Sequence, residues 1–550
     1  LLTKQGDRES FRSLYPFSPA LIQALVALSS ALQRERTALK VMLMLLVEQR
    51  ETLELGSCIP VGDLYDVIGS EAEPFSESMR MQFDNAKTLY ERKLVPLIEG
   101  EYNLSLATID TVADSDMSKR GFINDLRLIK TLLLSALVPE VECFKQLTSN
   151  KLAALNHGTI KSPLPGREAS IVLGKCIKWA GRVGEIKISQ DDTNPIISIQ
   201  LSGVDTESML DEAKIHDNEG ARRKLVKDIV FNAFGVQDDN QLFLEHKFLW
   251  RGTHRNVEVM FQNIREISDD TTIEARGDDW KVTVDFPFDH KDRSPADDKA
   301  RIQTFEANGN SARTMCWLPY FFSQDSQRDL GTLVTLEYIL KSDDSFRTFS
   351  KHLSPQERAQ ARTLLDNQRS QMRHRIETYL MGAYGVSEPL AGSLNDGGVL
   401  DSQVYSLETG FAPSLPIGSN LGKAFENILG QALSFQYPGH PEFENEVKLA
   451  DLGKVFEQLR RAIHATNGRI DIDSPLRSLM RSIAQPLKLG EMHERHFIFK
   501  EDWPQKLTRE LAKDEQRGEP VTVARLRAAM DQPEAMGLPE IVQNLLIMVF

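Results

Sequence analysis

The most strongly patterned stretch of the chain runs from residue 14 to residue 50. In its first half, apolar residues recur at helical spacing, at Leu21, Ile22, Leu25, Val26, Leu28 and Leu32. Ser18 and Pro19 provide an N-cap and a first-turn proline. The second half is apolar almost without interruption from residue 39 to residue 46. The pattern therefore predicts two helices, the second of which is buried on most sides.

Between these apolar blocks lies the segment QRERT, residues 33–37, which contains Arg34 and Arg36. Guanidinium groups beside a buried helix need an anionic partner, and their donor fork matches carboxylate or phosphate oxygens. One interpretation is that both arginines pair with acidic side chains of a neighbouring helix. The other is a nucleotide-sensing arginine on the helical lid of an ATPase. The residues alone leave both interpretations open.

Residues 121–204 follow a recognisable order of elements. Helices are predicted at 122–137, 148–155 and 168–180, and strand-like runs follow at 183–189 and 196–202. Three helices and a hairpin are the order of a winged helix, whose third helix would face a DNA groove. Candidate phosphate-contacting cations lie on or around that helix, at Lys161, Arg167, Lys175, Lys178 and Arg182. A protein-interaction module has the same pattern, and lysines on a helix face are often only solvated.

The next region has an α/β pattern. Strands are predicted at 242–250, 256–261, 280–286 and 314–318. The segment VTVDFPFDH has the form of an apolar strand that ends in a metal-binding acid, with Asp285 or Asp289 in that role. Its partner motif, G-x-x-x-x-G-K-[ST], is absent from the sequence, and the nearest segment, GSNLGKA at 418–424, lacks the spacing and the hydroxyl. The chain itself therefore does not hold ATP by a P-loop.

The remaining pattern completes the domain layout. Ser354, Pro355 and Glu357 start a long helix that extends to about Tyr384, and a Gly, Ser and Pro-rich stretch follows. The fold class is mixed and predominantly α with an α/β portion. The predicted domains are a helical region at 1–118, which is the lid in the ATPase interpretation, a winged-helix-like domain at 119–204, an α/β domain at 205–350, the long helix at 351–386, a linker at 387–420 and a C-terminal helical domain at 421–550.

Composition limits the class of protein. The 550 residues are 41% apolar and 26% charged, as in a globular protein, and the formal net charge of −14 argues against a chain that binds nucleic acid along its whole length. Four widely separated cysteines indicate neither a zinc site nor a disulfide framework, so a reducing cytoplasm is expected. No signal-peptide layout and no bilayer-length apolar run occur, and the opening at Leu1 suggests an internal piece of a longer protein.

Signatures of covalent chemistry are missing. His493 and His496 have a spacing that metal ligands use, but no third ligand accompanies them, and neither an HExxH nor a GxSxG pattern occurs. The sequence therefore predicts no catalytic residue and no metal ligand in this chain.

Several unusual blocks carry a resemblance to a known family. They are YPFSPALIQALVALSSALQRERTALK from residue 15, LTSNKLAALNHGTIKSPLPG from 147, WKVTVDFPFD from 280, WLPYFFS from 317, LSPQERAQAR from 353, QYPGHPEF from 436 and GLPEIVQNLL from 537. The chain resembles, nearly end to end, the large P-loop ATPases of bacterial phage-defence islands, namely PglY of phage growth limitation systems and BrxC of BREX systems. The PglY branch is the closer one.

The resemblance implies a role for each part. An AAA+ like ATPase would have its Walker motifs upstream of Leu1, with ATP and Mg²⁺ bound there. QRERT matches a segment where the family has a lid arginine, which favours Arg36 and then Arg34 as nucleotide sensors. The winged helix and later domains would engage double-stranded DNA or other defence-system subunits, and the protein would form a homo-oligomer without a membrane anchor. The alternative is a non-enzymatic scaffold that assembles a defence complex.

Overall fold

A computed structural model describes residues 12–550 except 32–34, 52, 54, 70–76, 161, 163, 165, 190–193, 240, 242, 291–292, 396–399, 516–519 and 521. For residues 28–31, 35–37, 68–69, 77–79 and 513–515 the description is limited to the backbone. The chain divides into two compact units. Unit 1 comprises residues 1–222 and 326–377, and unit 2 comprises residues 223–325 and 378–550.

Helices outnumber strands among the described elements. In chain order the helices are α1 Pro19–Ala31, α2 Glu35–Glu48, α3 Leu64–Gly69, α4 Glu77–Leu89, α5 Val95–Tyr102, α6 Met117–Leu137, α7 Ser149–Leu155, α8 Glu168–Ala180, α9 Glu207–Ala213, α10 Glu219–Phe234, α11 Asp270–Ile273, α12 Pro295–Ala307, α13 Gln324–Leu340, α14 Asp343–Phe349, α15 Pro355–Ala383, α16 Leu421–Gln436, α17 Leu449–Ile463, α18 Ser474–Leu479, α19 Asp502–Glu515, α20 Val523–Met530 and α21 Glu540–Val549. The strands are β1 Ile186–Ile188, β2 Ile197–Ile199, β3 Leu244–Trp250, β4 Thr253–Phe261, β5 Trp280–Val284, β6 Thr314–Trp317, β7 Val404–Ser406, β8 Arg469–Asp471, β9 Gly490–Met492 and β10 His496–Phe499.

Unit 1 is built around α6. The Asp116 side chain caps this helix by accepting a hydrogen bond from the Ser118 amide. Its buried residues include Leu128, Ile129 and Leu134, which lie about 100° or more apart around the helix axis. A helix that is apolar on several sides is the centre of a core and not a surface element.

The apolar helix α2 is buried on one side only, so the prediction that it is buried on most sides is wrong. Val41 and Leu45, four residues apart, pack into the core. Leu39 and Leu43 lie on another face and are 74% and 62% exposed. The apolar sequence is continuous around the helix, whereas α2 meets the core along one stripe only.

The predicted order of three helices and a hairpin is confirmed at the level of elements, as α6, α7, α8 and the antiparallel pair of β1 and β2. Helix α15 packs against the turn that leads into β1. The Asn367 side-chain amide donates to the carbonyl oxygens of Gly184 and Ile186, at 2.8 and 2.9 Å. A Cβ at Gly184 would lie 2.7 Å from the carbonyl oxygen of Leu364, so this contact requires glycine.

Unit 2 contains a five-stranded sheet in the order β3-β4-β5-β6-β7, in which β4, β5 and β6 are parallel and the two edge strands are antiparallel to their neighbours. On one face Phe234 of α10 stacks on Trp317 of β6 and on Phe425 of α16. On the other face Met260 and Cys316 pack in one cluster with Phe305 of α12. Helices therefore cover both faces, and the mixed α/β expectation is confirmed.

Strands occur where the sequence predicted none. β7 lies within the stretch 387–420 that was predicted to be a linker. The C-terminal part, predicted to be helical, contains a three-stranded antiparallel sheet in the order β8-β10-β9 beside α17 to α21. Each of these strands has three or four residues. That length is too short for a period of two to stand out from the surrounding sequence.

Candidate functional site

The proposed nucleotide sensors lie at the start of α2. Arg36 occupies the first turn of this helix, where the backbone alone is described, and Arg34 lies outside the described residues. Both the acid-pairing and the phosphate-contacting interpretations therefore remain predictions.

Asp63 links the other end of α2 to α6 through a hydrogen bond and an ion pair. The Gln49 side-chain amide donates to the Asp63 carboxylate. Arg127 of α6 donates two hydrogen bonds to the same carboxylate, from Nε to Oδ1 at 2.8 Å and from Nη2 to Oδ2 at 3.1 Å. A Cβ at Gly62 would overlap the carbonyl oxygen of Arg127, so the backbone before Asp63 lies directly against α6. A two-donor guanidinium contact of this kind holds both partners in one orientation.

Lys175, a predicted DNA contact, faces inward. Its ammonium group lies 2.6 Å from both carboxylate oxygens of Asp125 on α6, and the Tyr102 hydroxyl donates to the same carboxylate at 2.9 Å. Asp125 is buried, and this burial raises the pKa of its carboxyl while the Lys175 ammonium opposes the shift. Lys175 thus serves as the counter-ion of a buried acid.

The neighbouring cations are also paired with acids. Lys178 lies 3.0 Å from the Glu101 carboxylate. Arg182 donates to Asp329 Oδ1 at 3.2 Å, and Arg375 of α15 lies 2.9 Å from Oδ2 of the same buried carboxylate. The structure therefore gives Lys175, Lys178 and Arg182 three different acidic partners within unit 1.

The other two candidates of this set differ from those three. Arg167 is exposed immediately before α8, and Lys161 lies outside the described residues.

Three arginines of α15 are also paired with acids. Ion pairs join Arg362 to Asp343 at 2.6 Å and Arg373 to Glu337 at 2.9 Å. A third joins Arg369 to Asp366 at 2.9 Å. The charges of these three arginines are therefore compensated within the chain.

A buried acidic cluster lies at the carboxyl edge of the parallel strands in unit 2. The Asp285 carboxyl group follows β5 and accepts hydrogen bonds from the backbone amides of Ile264 and Phe286, at 3.0 and 2.6 Å. Asp298 of α12 lies beside Asp285 and is held by Arg265, whose Nη1 is 3.1 Å from both carboxylate oxygens. Burial and the neighbouring Asp298 raise the pKa of Asp285 well above its usual range.

In this arrangement the two acids of the VTVDFPFDH segment, Asp285 and Asp289, already have partners within unit 2. Asp285 is turned into the core, where backbone donors and Asp298 occupy its oxygens, and Asp289 pairs with Arg265. The sequence did not single out Asp298, because Asp285 and Asp298 are brought together only by the packing of α12 against the edge of the sheet.

The paired acids predict a specific pH dependence. The pKa of Asp285 is raised in the folded state, so this carboxyl contributes to the free energy of unfolding below about pH 4. The contribution is lost as the pH rises through the folded pKa. For one proton, the free energy of unfolding falls by about 1.4 kcal/mol per pH unit over that range. Replacing Asp298 by asparagine removes the second carboxyl and offers Asp285 an N–H donor. Urea unfolding followed by tryptophan fluorescence between pH 4 and 8 should then show a shallower loss of stability than the wild type.

The adjacent Asp297 is the matched control for this experiment. Its carboxylate accepts the Ser294 backbone N–H, which lowers the pKa of Asp297, so its contribution is present at neutral pH and lost on acidification. Asp297→Asn should leave the loss of stability that occurs as the pH rises above about 4 unchanged. Identical pH profiles for the wild type and Asp298→Asn would contradict the conclusion that Asp298 raises the pKa of Asp285.

Other sequence candidates are structural in the residues that the structure describes. The GSNLGKA segment forms the start of α16, where Asn420 caps the helix by accepting the Lys423 amide hydrogen at 2.8 Å. His493 and His496 flank the turn between β9 and β10, with rings stacked at 4.7 Å. No group of three or more His, Cys, Asp or Glu side chains in this part of the chain could hold a metal ion. The described helices include none that is long and apolar enough to cross a bilayer.

One open groove of about 620 Å³ lies in unit 2. Its lining residues are Trp250, Lys423, Glu426, Asn427, Gly430, Gln431 and Ser434. The only aromatic side chain of this set, Trp250, is buried, so the groove presents mainly amide, hydroxyl and charged groups.

Comparisons with known proteins give one consistent family. Residues 1–192 match the model described as the second domain of the BREX system ATPase PglY protein, residues 209–437 match the PglY fourth domain, and residues 450–550 match the fifth domain of the BREX system ATPase PglY protein. Only residues 193–208 and 438–449 fall outside these ranges. No solved structure matches the chain. Three domain models of one protein, matched in their numbered order, place this chain in the PglY family of the BREX phage-defence system.

Proposed function

We propose that this chain is the nucleotide-reporting and partner-engaging part of the ATP-binding component of a BREX phage-defence complex. Membership of a family described as BREX ATPases supports the link to ATP. Because the sequence contains no phosphate-binding loop and α16 starts at an ordinary N-cap, these residues do not fit a complete ATP site. ATP and Mg²⁺ would be held by residues that this chain does not include, and Arg36, or secondarily Arg34, would contact the phosphates.

The observation that carries the proposal is the mechanical link along α2. Arg36 and Gln49 are 13 residues apart, which corresponds to about 20 Å of helix. Gln49 bonds to Asp63, and Arg127 fixes Asp63 to α6, the centre of unit 1. A ligand shifts a conformational equilibrium only through contacts that differ between the states. An arginine that touches the γ-phosphate only when ATP is present would therefore bias the position of α2, which Val41, Leu45 and the Gln49–Asp63 hydrogen bond attach to the core of unit 1.

A second candidate function, a scaffold for other defence-system subunits, is favoured by the charge pairing of residues 119–204. Lys175, Lys178 and Arg182 already have acidic partners, so a protein contact suits this segment better than the DNA contact of a winged helix. Exposed Leu39 and Leu43 on α2 add apolar surface of the kind that interfaces use. Of the five cations predicted to contact double-stranded DNA, Arg167 and Lys161 would then have to make the contact.

The nucleotide-sensing proposal predicts a large effect of Arg36→Ala in the full-length protein. Loss of one hydrogen bond between charged groups costs about 1.5–3 kcal/mol, which corresponds to a roughly 10-fold to 150-fold loss in nucleotide affinity or turnover. ATP hydrolysis and binding of a fluorescent ATP analogue would measure it. Arg50→Ala is the matched control, since Arg50 lies just beyond α2, is exposed and pairs with the adjacent Glu51. Wild-type affinity and turnover in Arg36→Ala would rule out the sensor, and a full-length protein that binds no nucleotide would favour the scaffold.

A further inference from the structure

The outer edge of the sheet in unit 2 is open at β3. This seven-residue strand is first in the sheet order and pairs with β4 on one side. Among the residues that the structure describes, no strand pairs with its other side. An edge strand presents a row of unpaired N–H and C=O groups that another chain can extend.

The hairpin turn decides which residues present these groups. Arg251 and Gly252 have φ angles of 45° and 76°, the positive values of a two-residue hairpin turn. Trp250 and Thr253 are therefore the hydrogen-bonded pair that closes the hairpin. By alternation, Glu245, Lys247 and Leu249 direct their backbone groups away from β4. The same three side chains are exposed, and Leu249 is 52% exposed.

The charges on this edge are not satisfied within the sheet. Glu245 lies directly opposite Glu258, whose carboxylate is already paired with Lys281 at 3.0 Å. Lys247 lies opposite the uncharged Asn256. Within the described part of the chain, neither Glu245 nor Lys247 has an ion-pair partner. The edge thus carries one unmatched acid and one unmatched base, two residues apart.

We propose that the outer edge of β3 pairs antiparallel with the same edge of a second copy of this chain, about a two-fold axis at His246. In this register Glu245 lies opposite Lys247 of the partner subunit, and symmetry repeats the pair with the roles exchanged. The two five-stranded sheets become one continuous sheet. The register also brings Leu249 towards Phe243 of the partner subunit, so an exposed apolar side chain is covered.

The charge pattern selects this register over its neighbours. An axis at Lys247 would place two lysines opposite each other, and an axis at Glu245 would oppose two glutamates; like charges directly opposite destabilise a sheet. At the selected axis the two His246 rings approach each other. Burial lowers the pKa of His246, so these rings are uncharged at neutral pH and do not repel. This inference goes beyond the proposed function and does not depend on Arg36.

Charge reversal tests the pairing on the intact 550-residue chain. Sedimentation velocity from about 1 to 100 µM should show a concentration-dependent dimer for the wild type. Glu245→Lys places lysine against lysine twice, and Lys247→Glu places glutamate against glutamate twice. Each single variant should therefore dimerise about tenfold more weakly or worse. The double variant Glu245→Lys/Lys247→Glu restores both pairs and should dimerise as the wild type does.

An equimolar mixture of the two single variants gives the most specific test of the pairing. Every pair in the mixed dimer is again of opposite charge, so a heterodimer should form although neither variant forms a homodimer. Unfolding of either variant cannot produce this recovery, and far-UV circular dichroism of each variant checks the fold separately. A wild type that is monomeric throughout the concentration range, single variants that dimerise normally, or a mixture that stays monomeric would each overturn the proposal.

Discussion

Replacing Lys175 by alanine is expected to lower the free energy of unfolding by about 3–5 kcal/mol, because it leaves the buried Asp125 carboxylate without its counter-ion. The Tyr102 hydroxyl would remain as a donor to Asp125, but a neutral hydroxyl does not balance a buried charge. Chemical denaturation of the intact chain measures the loss. If Lys175 served only as a DNA contact, its replacement by alanine would hardly change the free energy of unfolding.

The matched control is Lys87→Ala, which removes an exposed lysine from a long i,i+4 pair with Glu91. That change should alter stability by at most about 0.5 kcal/mol. A Lys175→Met/Asp125→Leu variant, which removes both charges, should recover most of the stability.

A gel shift with double-stranded DNA, performed where each variant is folded, provides an independent readout of Lys175→Ala. A stable Lys175→Ala protein with weakened DNA binding would favour the nucleic-acid interface over the structural role.

Replacing Trp317 by alanine should cost about 3–5 kcal/mol of unfolding free energy in unit 2. The indole is fully buried, stacks on Phe234 with ring centroids 5.5 Å apart, and donates from Nε1 to the carbonyl oxygen of Tyr384 at 3.0 Å. The Tyr384 hydroxyl in turn donates to the Asp285 carbonyl oxygen at 2.6 Å. The cavity therefore opens beside the acidic cluster as well as beneath α10.

Limited proteolysis and urea unfolding would measure this loss, and Phe435→Ala is the control. Phe435 is 44% exposed and contacts Phe411 with ring centroids 5.1 Å apart, so its removal should cost about 1 kcal/mol. Equal losses for Trp317→Ala and Phe435→Ala would contradict the placement of Trp317 at the centre of the core.

The elements that sequence reasoning located best have strong local signals. The predicted helix at 168–180 coincides with α8, and α15 begins at the predicted capping box, in which Ser354 and Glu357 exchange hydrogen bonds of 2.8 and 3.3 Å. Strands β3 to β6 lie close to their predicted positions, and in β3 to β5 apolar alternation persists over five or more residues, which is enough to distinguish it from a helical pattern. β7 to β10 were not predicted, because such short strands are defined by pairing with residues distant in the chain.

By itself the sequence determined the periodic helices and strands, their caps, the absence of a phosphate-binding loop and the blocks that indicated the family. Those features depend on residues that are close together in the chain, or on short sequence blocks that can be compared with a known family. Only the tertiary structure decided which charges are already paired. The partner of Lys175 is 50 residues away, and that of Arg182 is 147 residues away. It also decided that one side of α2 faces solvent and that, among the described residues, no strand pairs with the outer edge of β3, because burial and pairing depend on which distant residues the fold brings into contact.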